Sequence, residues 1–262
     1  MTSAPAQPRS VVLCYHAVSE HWPSSLAVRP RQLRAHVAHL LGRGYRPATF
    51  SVAVAGHGML AVTFDDAFAT VGSVGLTVLR ELGVPGTVFV PTAFPDSHGP
   101  LVWPGLEQWP DGPHAHELRC LGWDELAALA DRGWEIGSHT VTHPRLTRLD
   151  DEQLAAELSE SKRAVEEHLG GACRSLAYPY GDEDARVVAA ARRAGYVAAA
   201  ALPSHPHGDE PLRWPRIGAY RHDGLLRLAT KTWPAVRRFR ERGERGSGRA
   251  RAARHDPDRP HE

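Results

Sequence analysis

Met59-Leu60-Ala61-Val62-Thr63-Phe64-Asp65-Asp66 is the stretch on which the fold turns. Its first six residues are apolar or β-branched, which reads as a strand, and the strand stops at two adjacent carboxylates. Side chains alternate across a strand, so neighbouring aspartates leave it in different directions. One can bind a cation while the other stays free as a base. Taken alone, such a pair is also ordinary turn chemistry.

Outward from this strand, short β-like runs alternate with amphipathic ones. Arg9 to Tyr15 reads as a strand, and Leu33, Val37, Leu40 and Leu41 lie at helical spacing before Gly42 or Gly44. Val74 to Leu82 reads as a helix closed by Gly83, and Gly86 to Val90 as a strand. Trp123 to Arg132 is a predicted helix with Gly133 as its stop, followed by a strand from Trp134 to Ser138. A long helix runs from Asp150 to about Leu169, then a strand from Ser175 to Tyr178, then a helix ending at Ala194 for which Asp182 is the candidate cap. Tyr196 to Ala200 and Arg213 to Gly218 supply further strands, and Asp223 to Thr230 a last helix. This order predicts a parallel-stranded α/β fold. A chain of 262 residues suits one α/β barrel.

Residues 94–118 break the pattern with five prolines, three histidines and no clear period. They read as an irregular insertion at a functional rim. From residue 236 to 262 the chain turns to Arg, Gly, Glu, Asp and Pro, which predicts a disordered basic tail. Residues 1–9 read as a leader, leaving 10–235 as the folded domain.

The bulk numbers narrow the function. A formal net charge of +1 gives no global field for nucleic acid or an anionic membrane. Cys14, Cys120 and Cys173 are odd in number and lack CxxC spacing, which argues against a disulfide framework or a cysteine zinc site. The N-terminal apolar run from Val11 to Leu13 is too short for a signal peptide or a membrane span. The expectation is a soluble cytoplasmic protein. Oligomeric state is not legible.

Two further motifs sit at predicted strand ends, where α/β barrels place catalytic groups. Ser138-His139-Thr140-Val141-Thr142-His143-Pro144 holds two histidines that meet in a helical turn or a compact loop. Two imidazoles and a carboxylate suit zinc or a similar divalent ion; the plain alternative is a pair of surface histidines. Leu176-Ala177-Tyr178-Pro179-Tyr180-Gly181 makes a turn whose N–H groups could stabilise an oxyanion, or merely a Pro-Gly turn with core aromatics.

In this order, the three motifs resemble those of the polysaccharide deacetylases of the NodB-homology type, carbohydrate esterase family four. The family's T-F-D-D, H-[ST]-x-x-H and P-Y-G are matched by Thr63 to Asp66, His139 to His143 and Pro179 to Gly181. The resemblance implies a distorted (β/α) barrel of about seven parallel strands in a single domain. It implies Asp65 as catalytic base, Asp66, His139 and His143 as metal ligands, and the Tyr180 N–H as an oxyanion donor. Two departures stand out: Ala177 occupies a position where many members carry arginine, and no late leucine-rich motif supplies the acid histidine. The opening Val11-Val12-Leu13-Cys14-Tyr15-His16 resembles a circularly permuted branch with an N-terminal Y-H motif, which assigns the acid to His16. Arg216 is the candidate to orient Asp65, and Trp103, Trp109 and Trp214 are candidates to stack on a sugar.

The implied activity is zinc-dependent removal of acetyl from an N-acetylated sugar. The alternatives are a metal-dependent deacylase of a non-carbohydrate amide or ester, and a silent carbohydrate-binding protein on the same scaffold.

Overall fold

A computed structural model describes residues 8–97, 99–202 and 210–233. The tail reading at 236–262, and most of the leader reading at 1–9, lie outside the described residues.

A sheet of nine short strands, all paired in parallel, curls until its two edges meet. Its staves are β1 (Val11–Tyr15), β5 (Met59–Phe64), β6 (Gly86–Val90), β7 (Glu135–Ser138), β8 (Ser175–Ala177) and β9 (Ala198–Ala201). Closure comes from the segment expected as one strand over Arg213 to Gly218. It is instead split into β10 (Trp214–Pro215), which pairs with β9, and β11 (Ile217–Gly218), which pairs with β1. Arg216 sits at the break. Counting that segment once gives the seven-stave, nearly closed barrel that the sequence predicts.

Period-two alternation builds two cores. Outward residues such as Leu13, Val62, Val88, Ile136, Leu176 and Ala199 pack against helices in the larger cluster. Inward Val12, Ala61, Phe89, Ala177, Ala198, Ala200 and Trp214 fill the barrel. Small residues face Phe89 because the barrel is narrow: a Cβ on Gly137 would lie 2.7 Å from the Phe89 ring.

The covering helices are α1 (Pro30–Gly42), α3 (Leu76–Glu81), α4 (Trp123–Ala130), α5 (Asp151–Leu169), α6 (Ala185–Arg193) and α7 (Leu225–Thr232). In α5 the Asp150 carboxylate accepts from the Gln153 N–H at 2.8 Å, and Gly170 ends the helix at φ 66°. Its buried stripe is Leu154, Leu158, Ser161 and Val165, the 3.6-residue period of a helix lying on a sheet.

Several local expectations change. The cap of α6 is Asp184, which accepts from the Val187 N–H at 2.8 Å. Asp182 instead accepts from the Thr147 N–H and hydroxyl, tying two loops together. A π-helical turn at Val71–Gly75 precedes α3, so helical backbone begins before Val74. Four short elements were not anticipated: β2 (Ala17–Val18), β3 (Ala27–Val28), β4 (Arg46–Ala48) and α2 (Phe50–Ala55). They are too short to show a period. Helix α2 matters most, because Phe50 plugs the N-terminal end of the barrel against Phe89, ring centroids 5.4 Å apart. No helix among the described residues is long and apolar enough to cross a membrane.

Candidate active site

The inward parity of each strand continues past its C-terminal end. After Val12 and Cys14 comes His16; after Ala61 and Thr63, Asp65; after Glu135 and Gly137, His139. The ladder extends one residue to hold them: Asp65 N–H donates to the Tyr15 carbonyl at 2.9 Å, and His139 N–H to the Val90 carbonyl at 2.8 Å. These three residues therefore converge over the barrel mouth.

Asp66 has the wrong parity, and a backbone reversal brings it in. Asp66 has φ 68° and Ala67 φ 53°. Thr140, His143 and Tyr180 are also left-handed, at φ 68°, 63° and 59°. Among the described residues, five of the six non-glycine residues with positive φ thus gather at this mouth, where strained backbone is held by its surroundings.

The result is one compact donor set. Asp66 Oδ1 lies 3.5 Å from His139 Nε2 and 3.4 Å from His143 Nε2. All three side chains are buried. The His139 Nδ1 donates to the Ala177 carbonyl at 2.8 Å, which fixes the tautomer and leaves Nε2 a lone pair. Burial pushes His143 down to about 3, with the Asp66 charge opposing only in part, so its imidazole is neutral. Burial also disfavours the charged His139, but Asp66 and Asp65 outweigh it and hold His139 above its ordinary value. Asp66 Oδ1 makes no hydrogen bond. A buried carboxylate oxygen without a donor, facing two imidazole nitrogens, fits a divalent cation.

The His139–His143 segment forms a compact loop, not a helical turn. Glu157 of α5 holds it: Oε2 accepts from the Val141 and Thr142 N–H groups at 2.7 and 3.0 Å, and Oε1 from the Thr142 hydroxyl at 2.6 Å. Sequence reasoning missed Glu157. Its signal was a carboxylate at the edge of the buried stripe of α5, three residues after Leu154 and beside Leu158.

Asp65 lies beside this set with different partners. Arg216 donates through two nitrogens to Oδ1 and Oδ2, at 2.6 and 2.7 Å, and also to the Thr63 hydroxyl at 3.1 Å. Burial would raise the Asp65 carboxyl, but the Arg216 charge and hydrogen bonds, with His139, hold it well below the usual range. Arg216 is itself buried, and the Asp65 charge keeps it protonated against desolvation. The Cys14 thiol approaches Asp65 Oδ2 at 3.5 Å, and burial raises it far above the ordinary thiol range, so it stays protonated.

A ring nitrogen of His16 lies within 4.8 Å of an Asp65 oxygen and of Cys14 Sγ. This second trio is a poor cation site. Both Asp65 oxygens already serve a guanidinium, whose charge repels a metal ion. His16 is half-buried, and its Nδ1 has no partner in the protein. The Tyr180 turn faces the same mouth, with its ring 4.7 Å from that of His143. Its N–H donates to no protein acceptor among the described residues. Gly181 follows at φ 67°, where a Cβ would meet Leu202 at 2.8 Å.

The three candidate tryptophans occupy different surroundings. Trp103, from the 94–118 segment, stacks on His143 at 4.2 Å and is buried. Trp109 packs edge-on against Trp22, and Trp214 lies inside the barrel. Trp103 and Trp214 are buried and Trp109 is half-buried. The segment itself ends in a helical turn at Ala115–Leu118, and Glu117 there accepts from the Ser19 hydroxyl at 2.6 Å.

Comparison with known proteins gives consistent matches. The family model described as polysaccharide deacetylase matches residues 54–199. YxkH of Bacillus subtilis (strain 168) is 25% identical over 193 residues, covering 71% of this chain and 61% of that protein. The chain thus spans about three fifths of that relative's length. Among solved structures, a polysaccharide deacetylase from Bacillus cereus superposes with TM-score 0.67 at 23% identity, over 86% of this chain and 69% of that one. The deacetylase PplD of Streptococcus pyogenes superposes with TM-score 0.70 at 18% identity, over 87% of this chain and 100% of that one. At these identities the superpositions speak for the fold.

Proposed function

This chain belongs to the polysaccharide deacetylase family, and from that premise we propose that it is a metal-dependent hydrolase removing acetyl from N-acetylated sugars. The observation that carries the reading is the side-by-side pairing of two carboxylates. Asp66 Oδ1 is orphaned against His139 and His143, while Asp65 is clamped by Arg216.

In this reading Asp66, His139 and His143 hold the ion. A divalent metal, zinc by the chemistry of its donors, supplies Lewis acidity towards the acetyl carbonyl and acidifies water at neutral pH. The remaining work belongs to the chain. Asp65 takes the proton of the attacking water. Arg216 holds both its oxygens, so the carboxylate is ionised and fixed before substrate arrives. The Tyr180 N–H has no other acceptor and donates to the oxyanion of the tetrahedral intermediate. His16, across the mouth from the ion-binding set, gives a proton to the departing amine, which otherwise leaves poorly. Acetate and a free amino sugar result.

The test is acetate release from N-acetylglucosamine oligomers, with purified protein stripped of metal and reloaded with zinc. Release only after reloading supports the reading. Release from simple acetyl esters but from no acetylated sugar would replace the substrate class. Metal binding without release from either would leave a sugar-binding protein.

A further inference from the structure

Basic side chains on the catalytic face fall into two kinds. Most are committed to the fold. Arg221 donates to the carbonyls of Ser19, Glu20 and Ala27 at 3.1, 2.9 and 3.2 Å, pinning the loop after His16. Arg29, across a shallow surface cavity from it, lies 3.6 Å from Glu20. Arg213 pairs with Glu183 at 2.9 Å, and Arg216 is spent on Asp65. Arg145 is of the other kind. It follows the metal loop by two residues, is half-buried, and has no ion pair or side-chain hydrogen bond among the described residues. Its guanidinium carbon lies 4.5 Å from the centre of the Tyr180 ring, which in turn lies against His143.

We infer that Arg145 is an acid-reading subsite of the active centre, and that the preferred substrate is an N-acetylated sugar carrying a carboxylate or phosphate close to its acetamido group. The inference rests on the deacetylase reading and adds the charge of the substrate to it.

A partly desolvated cation is normally paired, because losing hydration without a counter-ion is costly. Arg145 has only a π face, which orients the guanidinium and leaves its hydrogen-bond donors free. Those donors form a fork suited to planar, bidentate oxyanions. Position supplies the second argument. Tyr180 carries the N–H at the oxyanion position, and its ring is the plate on which Arg145 rests. A group held by Arg145 is therefore part of the same substrate whose acetyl reaches the mouth. Two acidic side chains act on Tyr180 through their charge, Asp66 more strongly and Glu107 less; neither pairs with Arg145 among the described residues, and Glu107 accepts from the Gly105 N–H at 2.7 Å.

The experiment compares three probes on the full zinc-loaded chain: N-acetylglucosamine, N-acetylmuramic acid for the carboxylate, and N-acetylglucosamine 6-phosphate for the phosphate. Calorimetric binding is measured for each, and kcat and KM for each probe that is turned over. One charge-assisted contact predicts an acidic probe bound about 10- to 100-fold more tightly than the neutral one. Arg145→Gln should collapse that ratio towards one, acting through KM, and Arg145→Lys should restore part of it. A purely structural arginine would lower all three probes together. Equal binding of acidic and neutral probes by the wild type, or an unchanged ratio in Arg145→Gln, overturns the inference. Absence of acetate release with the acidic preference in binding intact would instead overturn the deacetylase reading alone.

Discussion

The two ends of the barrel are lined by the same inward-facing positions, yet they are built to opposite rules. At the N-terminal end Phe50 and Phe89 close the bore, and polar groups are matched. Thr87 accepts from the Phe50 N–H at 2.9 Å, and Glu135 accepts from the Ser175 hydroxyl and the Ser51 N–H at 2.6 and 2.9 Å. At the C-terminal end Asp66 Oδ1, His143 Nδ1 and His16 Nδ1 are buried without hydrogen-bond partners, and the backbone is left-handed at five side-chain-bearing residues. One end contributes stability; the other stores unsatisfied groups and strain that the first must offset.

Replacements at the open end should therefore damage chemistry first, and those at the closed end stability first. The largest effect expected is at Asp65→Asn, with turnover falling about 10²- to 10⁴-fold. Metal content, measured by elemental analysis, should be retained because Asp66 and both histidines are untouched. A fully active variant would remove Asp65 from the mechanism.

Arg216→Met sharpens the comparison because it touches both properties. Removing one partner strands the buried Asp65 charge, at about 3–5 kcal/mol in denaturant unfolding. With the guanidinium gone, burial dominates and the Asp65 carboxyl rises, so the acid limb of kcat/KM should move to higher pH. In the wild type the Asp65 carboxyl is depressed on folding. The stability it contributes is complete above the unfolded value of about 3.9 and drains as pH falls through the lower folded value. An unmoved acid limb would show that Arg216 does not set the protonation of Asp65.

Phe89→Ala tests the closed end, with a cost of about 3–5 kcal/mol in thermal or denaturant unfolding. The protein that remains folded should keep its zinc affinity. If affinity fell as far as stability, the two ends would not be separable. The smallest change expected is at Glu157→Gln. It weakens the anchor beneath the His139–His143 loop and should lower zinc affinity about 10- to 100-fold in competition with a chelator. An unchanged affinity would make Glu157 a support of α5 alone.

Much of this was legible from residue order. Strand parity places His16, Asp65 and His139 on one side of a parallel sheet, and the motifs at strand ends mark the catalytic face. Helix α2 was illegible because six residues of mixed apolar character have no resolvable period. The cap at Asp184 was misread because Asp182 is an equally good cap by type, and only the loop to Thr147 claims it. Trp214 was illegible as a barrel-core residue because composition does not report which face of a ring is covered.

The sequence by itself determined the α/β class, the candidate site residues of its three motifs and the candidacy of Arg216, since strand pattern and motif spacing are local properties. Only the tertiary structure decided that Asp66 turns inward through left-handed backbone and that Glu157 reaches the His139–His143 loop from a helix. It also decided that Arg216 closes the barrel onto Asp65 from 151 positions away. Those contacts join residues distant in the chain, and their geometry is fixed by closure of the sheet rather than by any neighbouring residue.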